Sequence, residues 1–143
     1  MKNNAAVGIG VRILRAREQL YADLARVLKP FGVTEPQYNV LRILRGAGRE
    51  GLPSLEIGRR MITRIPDITR LLDRLEKEKL VARQRDRQDR RIVVARLTAG
   101  GEKLLKKADK EVQDLHGRHI AGLGDREQAQ LARLLDKLIT STD

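Results

Sequence analysis

Apolar residues recur at helical spacing from Val11 through Ile13, Leu14, Leu20, Tyr21, Leu24 and Val27 to Leu28, predicting a first helix that stops at Lys29-Pro30. A second helix is predicted to open at Thr34-Glu35-Pro36-Gln37, with Thr34 as N-cap, Pro36 in the first turn and Gln37 closing a capping box. Its inward face is Tyr38, Leu41 and either Ile43 or Leu44, and the stretch from Gly46 to Gly48 ends it. RGAGREGLP then reads as a loop. Ser54 is expected to cap a short helix with Leu55, Ile57 and Met61 inward, and with Gly58 where a facing helix approaches closely. A short break, Ile62-Thr63-Arg64, leads into Ile68, Leu71, Leu72, Leu75 and Leu80 at helical spacing, with Pro66 in that helix's first turn.

The pattern changes at Leu80. LVARQ and RIVVARL are β-prone runs on either side of the charged turn RDRQDR, which predicts a hairpin. Thr98 caps a long helix that turns Leu104, Leu105, Ala108, Val112 and Leu115 inward, and Gly122 and Gly124 break it. Asp125 with Gln128 predicts a capping box for a last helix along Leu131, Leu134, Leu135 and Leu138. A short helix, a turn, a longer helix and a basic hairpin follow one another in winged helix-turn-helix order. The fold class expected is mainly α, one domain over residues 1–143, with the winged helix at about 32–98 and flanking dimerisation helices at about 6–30 and 99–141. The apolar stripes of the terminal helices, around Leu20, Leu24, Leu105, Val112, Leu134 and Leu138, exceed what the winged core can cover and imply a second copy of the chain.

Composition narrows the function. The net charge is +11, and 13 basic against 6 acidic residues lie between Arg59 and Arg96, over the second helix of the motif and the hairpin. An excess so placed points to a polyanion, nucleic acid first. Cysteine is absent, which removes disulfides, thiolate metal sites and thiol catalysis. Tyr21, Phe31 and Tyr38 are the only aromatics, too few for a base-stacking surface that binds single strands. His116 and His119, with Glu111 and Asp114 near, are thin material for a metal site, and none is expected. No acid–base constellation or phosphate-binding glycine loop is present, so no enzyme activity and no cofactor are expected. No segment resembles a signal peptide or a membrane span, which predicts a cytoplasmic protein without a membrane partner.

The candidate contacts to double-stranded DNA follow from the exposed face of the predicted recognition helix, about Arg64 to Lys79. Thr63 and Pro66 stand at its N-terminal end, and Arg64, Asp67, Arg70 and Arg74 are left free. Arginine can fork onto guanine O6 and N7, and threonine can touch phosphate or a base edge. Asp67 can accept from cytosine N4, hold an arginine in its rotamer, or serve as a first-turn partner of the helix dipole. Arg74 suits a surface ion pair as well as DNA. In the hairpin turn, guanidiniums at a ribbon tip fit a narrow minor groove, and Asp89 among arginines orients a neighbour by a charge-assisted bond or else repels phosphate.

From Gly32 to Gly101 the chain resembles the MarR family of bacterial winged-helix regulators, in ITRLLDRLEKEKLVAR, in Asp89-x-Arg91 followed by Leu97-Thr98, and in Gly101. The resemblance implies homodimers built on interlocked terminal helices, with each recognition helix in a major groove of an inverted-repeat operator. It implies that Arg91, with Arg90 beside it, enters the minor groove at the wing tip while Asp89 braces the wing; Arg87 of the same turn is a further candidate DNA contact. It also implies repression relieved by a small aromatic or anionic effector between the dimerisation helices and the winged domain, for which Tyr21, Phe31, Tyr38 and Arg42 are the candidate contacts. A nucleoid-type protein that coats DNA with little sequence preference is the alternative.

Overall fold

The computed structural model describes residues 2–140, and the predicted bounds at residues 1 and 141–143 lie outside them. Helix α1 (Lys2–Leu28) ends where Lys29-Pro30-Phe31 tighten into a 3-10 turn capped by Gly32, and α2 runs Glu35–Ala47. Thr34 and Gln37 form the expected box: Gln37 N donates to Thr34 Oγ1 at 3.4 Å, and Thr34 N donates to Gln37 Oε1 at 2.9 Å. The helix stops at Gly48, whose φ of 67° suits glycine. Strand β1 (Leu52–Pro53), α3 (Ser54–Arg60), α4 (Ile68–Lys77), β2 (Val81–Arg85), β3 (Val93–Leu97), α5 (Ala99–Ile120) and α6 (Asp125–Thr140) follow. The architecture is a mainly α winged helix-turn-helix.

The core lies where α2, α3, α4 and the sheet meet α5 and the C-terminal end of α1. Leu28, Leu41, Leu44, Ile57, Leu72, Leu75 and Leu105 are completely buried there. The sheet order is β1-β3-β2, all antiparallel, with Leu52 opposite Ala95 and Arg83 opposite Ala95 from the other side. The sequence-predicted loop therefore contains a strand. Its two residues are too few to show alternation, and their partner stands more than forty positions along the chain.

Several local expectations are corrected. Pro53, extended at φ −60° and ψ 146°, occupies the N-cap of α3, so Ser54 is already helical and makes no capping bond. Leu55 points outward, 68% exposed. The break before α4 spans Met61 to Asp67, because Pro66 disfavours a helical conformation at Ile65 and Asp67 takes the N-cap, its Oδ1 accepting from Arg70 N at 2.9 Å. Pro66 thus precedes the helix instead of sitting in its first turn. At α6 the predicted box is replaced: Gly124 N donates to Glu127 Oε2 at 2.8 Å, and Gln128 Nε2 donates back to the Leu123 carbonyl at 2.9 Å.

Two glycines are set by close approach. A Cβ on Gly101 would stand 2.3 Å from the Leu80 carbonyl oxygen and 2.5 Å from Leu97 Cδ1, where Thr98 caps α5 against the end of β2's entry. Gly51, at φ 68°, would carry a Cβ 2.3 Å from the Ala95 oxygen. Gly58, expected to be such a site, would meet nothing within 4 Å. Gly101→Ala is accordingly expected to destabilise the fold by about 1–3 kcal/mol, and Gly58→Ala to stabilise it by roughly 0.5–1 kcal/mol. Denaturant midpoints at constant slope measure both, and equal midpoints for the two variants would contradict the packing described.

Leu105 and Val112 are buried inside the chain, so they are not part of the uncovered stripe. Of the expected stripe Leu20, Leu134 and Leu138 are exposed, and the uncovered surface extends over the N-terminal half of α1, with Val7, Ile9, Val11 and Leu14, and over α6, which buries none of its residues and also exposes Leu131 and Leu135.

Candidate functional site

The exposed face of α4 gathers Asp67, Arg70 and Arg74 around a shallow depression of about 310 Å³. Arg70 and Arg74 are one turn apart, and the apolar residues Leu72 and Leu75 hold the opposite face in the core. Among the described residues the guanidiniums of Arg64, Arg70 and Arg74 have no hydrogen-bond or ion-pair partner. Asp67 is committed through Oδ1 to its capping bond. Thr63 does not join this face; it lines a cleft with Ile62.

Helix α4 is clamped to the wing by Arg83. Its backbone N–H donates to Glu76 Oε1 at 3.2 Å, Nε donates to Glu76 Oε2 at 3.0 Å, and Nη2 reaches both Glu76 and Asp73. The paired carboxylates raise the guanidinium's already high pKa, the Glu76 bond being the main cause. One β2 arginine is therefore shared by the two acids on α4 and offsets half of their negative charge, while Arg70 and Arg74 on the same helix stay unpaired among the described residues. Sequence reading missed this clamp, which has no local signature.

The wing turn is organised by two aspartates. Asp86 Oδ1 accepts from Gln88 N at 2.8 Å and Asp89 N at 2.9 Å, an arrangement visible in principle as Asx-turn chemistry. These backbone donors hold its carboxyl below the ordinary range. Asp89 forks onto Arg91: Nε donates to Oδ1 and Nη2 to Oδ2, each at 3.0 Å, while Arg91 N also donates to Oδ1. The Arg91 side chain stays 90% exposed despite this fork, so the pair orients a guanidinium toward solvent. Arg91 lines a groove against α3 with Arg59 and Leu55, whereas Arg87 and Arg90 line a separate depression on the other strand. Arg87 and Arg90 have no side-chain partner among the described residues.

Behind this basic surface lies a cleft of about 650 Å³. Its walls come from α1, α2, His116 of α5, Leu131 and Leu135 of α6, and Ile62–Thr63 of the segment that leads into α4. Tyr21, Tyr38 and Arg42 line it; Phe31 does not, and packs against the core at the end of α1. Tyr38 is 4% exposed, and its hydroxyl donates to Asp109 Oδ1 at 2.7 Å. Burial and that bond push its pKa up to about 12, so the phenol stays neutral. Burial opposes charge on Asp109, yet the bonds from Arg45 and Tyr38 prevail and hold its carboxyl below the ordinary range. The cleft walls also carry Arg12, Arg17 and Glu35, which sequence reading did not single out. Asn39 Oδ1 accepts from Ile62 N at 2.9 Å, tying the pre-α4 segment to α2. His119 Nε2 pairs with Asp23 Oδ2 at 2.9 Å between α5 and α1, while burial, His119 and Arg42 lower the pKa of His116.

The sequence profile of the MarR family matches residues 33–93, from just before α2 to the first residue of β3. Over 140 residues the chain is 30% identical to the HTH-type transcriptional regulator FarR of Neisseria gonorrhoeae, covering 98% of this chain and 93% of that protein. The chain belongs to the MarR family. A MarR variant of Escherichia coli complexed with operator DNA superposes with a TM-score of 0.84 at 29% identity, covering 94% of this chain and 96% of that one. NadR in complex with 4-hydroxyphenylacetate superposes with a TM-score of 0.72 at 32% identity, covering 91% of each chain. As a MarR-family member this protein is a DNA-binding helix-turn-helix transcriptional regulator, and the DNA-coating alternative is not favoured. No helix among the described residues is long and apolar enough to cross a membrane.

Proposed function

We propose that this MarR-family protein is a cytoplasmic, sequence-specific repressor that occupies an inverted-repeat operator as a homodimer and leaves it when a small aromatic or anionic molecule enters the cleft. The winged helix of about residues 32–98 and the flanking helices of about 6–30 and 99–141 then work as one domain. Arg64, Arg70 and Arg74 meet the major groove, and Arg91 meets the minor groove from the wing, with Arg87 and Arg90 adding phosphate attraction. The observation that carries the effector reading is the shared segment: Ile62 and Thr63 line the cleft, and the same stretch of chain delivers α4. An occupant that displaces Ile62 from Asn39 acts directly on the approach to the recognition helix, and it shifts DNA affinity only through different affinities for the two arrangements. Arg12, Arg17 and Arg42 supply the positive side of the cleft, and its volume suits a small organic ligand. NadR holding 4-hydroxyphenylacetate supports that ligand class.

The test is fluorescence anisotropy with DNA enriched from the source genome. The expected preference over scrambled duplex is about 10³-fold or more, whereas a coating protein would show about one. Affinity is expected to fall by roughly 10³–10⁵ between 50 and 200 mM salt if about 6–10 phosphates are neutralised. Addition of 4-hydroxyphenylacetate, or of another small aromatic acid, is expected to weaken operator binding. Release by no such acid would overturn the effector reading and leave the DNA reading standing.

A further inference from the structure

The buried polar groups of α2 are satisfied with one exception. Gln37 closes the capping box, Tyr38 donates to Asp109, and Asn39 accepts from Ile62. Glu35 is 7% exposed and lines the cleft, but its Oε2 is buried without a hydrogen-bond partner among the described residues. No guanidinium stands within ion-pair distance of it there, although Arg17 is near enough to act on its charge. Burial pushes the carboxyl above its ordinary range, and Arg17 pulls against that rise. Helix-end duty does not account for it, because Thr34 already accepts from the first turn. A buried acceptor with no donor is costly, and an apolar wall residue would avoid that cost.

We propose that Glu35 is the specificity residue of the effector cleft, accepting a hydrogen bond from a hydroxyl on the ligand, so that the cleft selects hydroxylated organic anions over their unhydroxylated counterparts. The proposal rests on the effector reading of the cleft. Three arginines beside one carboxyl leave the cleft net positive, which favours an anion at the arginines and makes the donor at Glu35 a neutral hydroxyl in preference to an ammonium. A site that holds an acceptor for a ligand hydroxyl discriminates against the analogue lacking it, because the acceptor is then left unpaired.

The experiment is calorimetric titration of the intact protein with matched pairs: 4-hydroxyphenylacetate against phenylacetate, and 3- and 4-hydroxybenzoate against benzoate. Wild type is expected to prefer the hydroxylated member of at least one pair by about 10-fold or more. Glu35→Leu is expected to reduce that preference to within about twofold by weakening the hydroxylated ligand and sparing the other. Glu35→Met, equal in length and without an acceptor, makes the same test if the Leu variant folds poorly. Glu35→Gln, which keeps a carbonyl acceptor, is expected to restore most of the preference. Equal binding within every pair by wild type, or a preference that survives in the Leu or Met variant, overturns the role of Glu35 while the cleft reading stands. Binding of none of these acids by wild type overturns both.

Discussion

A double variant, Leu14→Glu with Leu134→Glu, is expected to sediment as a monomer at micromolar concentration and to bind the operator at least 100-fold more weakly than wild type. Leu14 is 66% exposed and Leu134 47% exposed in the single chain, so a glutamate at either place is solvated and the fold should survive. In a two-fold interface each substitution appears twice, so four carboxylates would be brought into one apolar surface. Losing the dimer also removes the linkage between two half-site contacts, which is worth roughly 10²–10⁴ in avidity. Circular dichroism establishes that the variant is folded, and sedimentation establishes its mass. A folded variant that remains dimeric would place the interface elsewhere.

Arg70→Ala and Arg91→Ala are expected to fail in different ways. Arg70 projects from α4 with no competing partner among the described residues, so if it forks onto a base its loss costs about 1–3 kcal/mol at each half-site. The loss is confined to one base-pair position, which then becomes tolerant of substitution. Arg91 is presented by the Asp89 fork, and a guanidinium in a narrow minor groove reads shape, so its loss weakens all sites of similar groove width together. Asp89→Ala should reproduce part of that loss, because the fork is what orients the guanidinium. Tighter binding by Asp89→Ala would mean that its charge acts mainly by repelling phosphate. Arg87→Ala is the comparison, since Arg87 lies in a different depression with no such brace. Anisotropy on operator and flank-swapped duplexes separates these cases. Equal, small losses at Arg87 and Arg91 that vanish at 0.3 M salt would remove the wing from DNA recognition.

The features legible in the residues are those whose partners lie within a few positions. Thr34 with Gln37 and Thr98 with Gly101 are bonds across one helical turn, so the residue types at that spacing announce them. The apolar periods of α2 and α4 and the β-prone runs flanking the arginine-dense turn are equally local. The basic face was readable for a related reason: arginines that no local acid neutralises remain unpaired, and their excess is concentrated over one stretch of chain. Pro66 and Asp67 mark the limit of such reading. Both residues suit a first turn by type, but only Asp67 carries an acceptor for the Arg70 N–H, so it takes the cap and Pro66 is left outside the helix.

Contacts between residues far apart in sequence had no such signal. Tyr38 meets Asp109 across 71 positions, Asn39 meets Ile62 across 23, and Arg83 gathers two acids from a different element. The pairing of β1, the place of Thr63 in the cleft instead of on the DNA face, the separation of Phe31 from that cleft, and the unpartnered carboxyl of Glu35 are of the same kind. Spacing along a chain encodes which face of an element a side chain occupies. Which other element comes to meet that face depends on packing the whole core, where burial decides which polar groups keep water and which must find a partner.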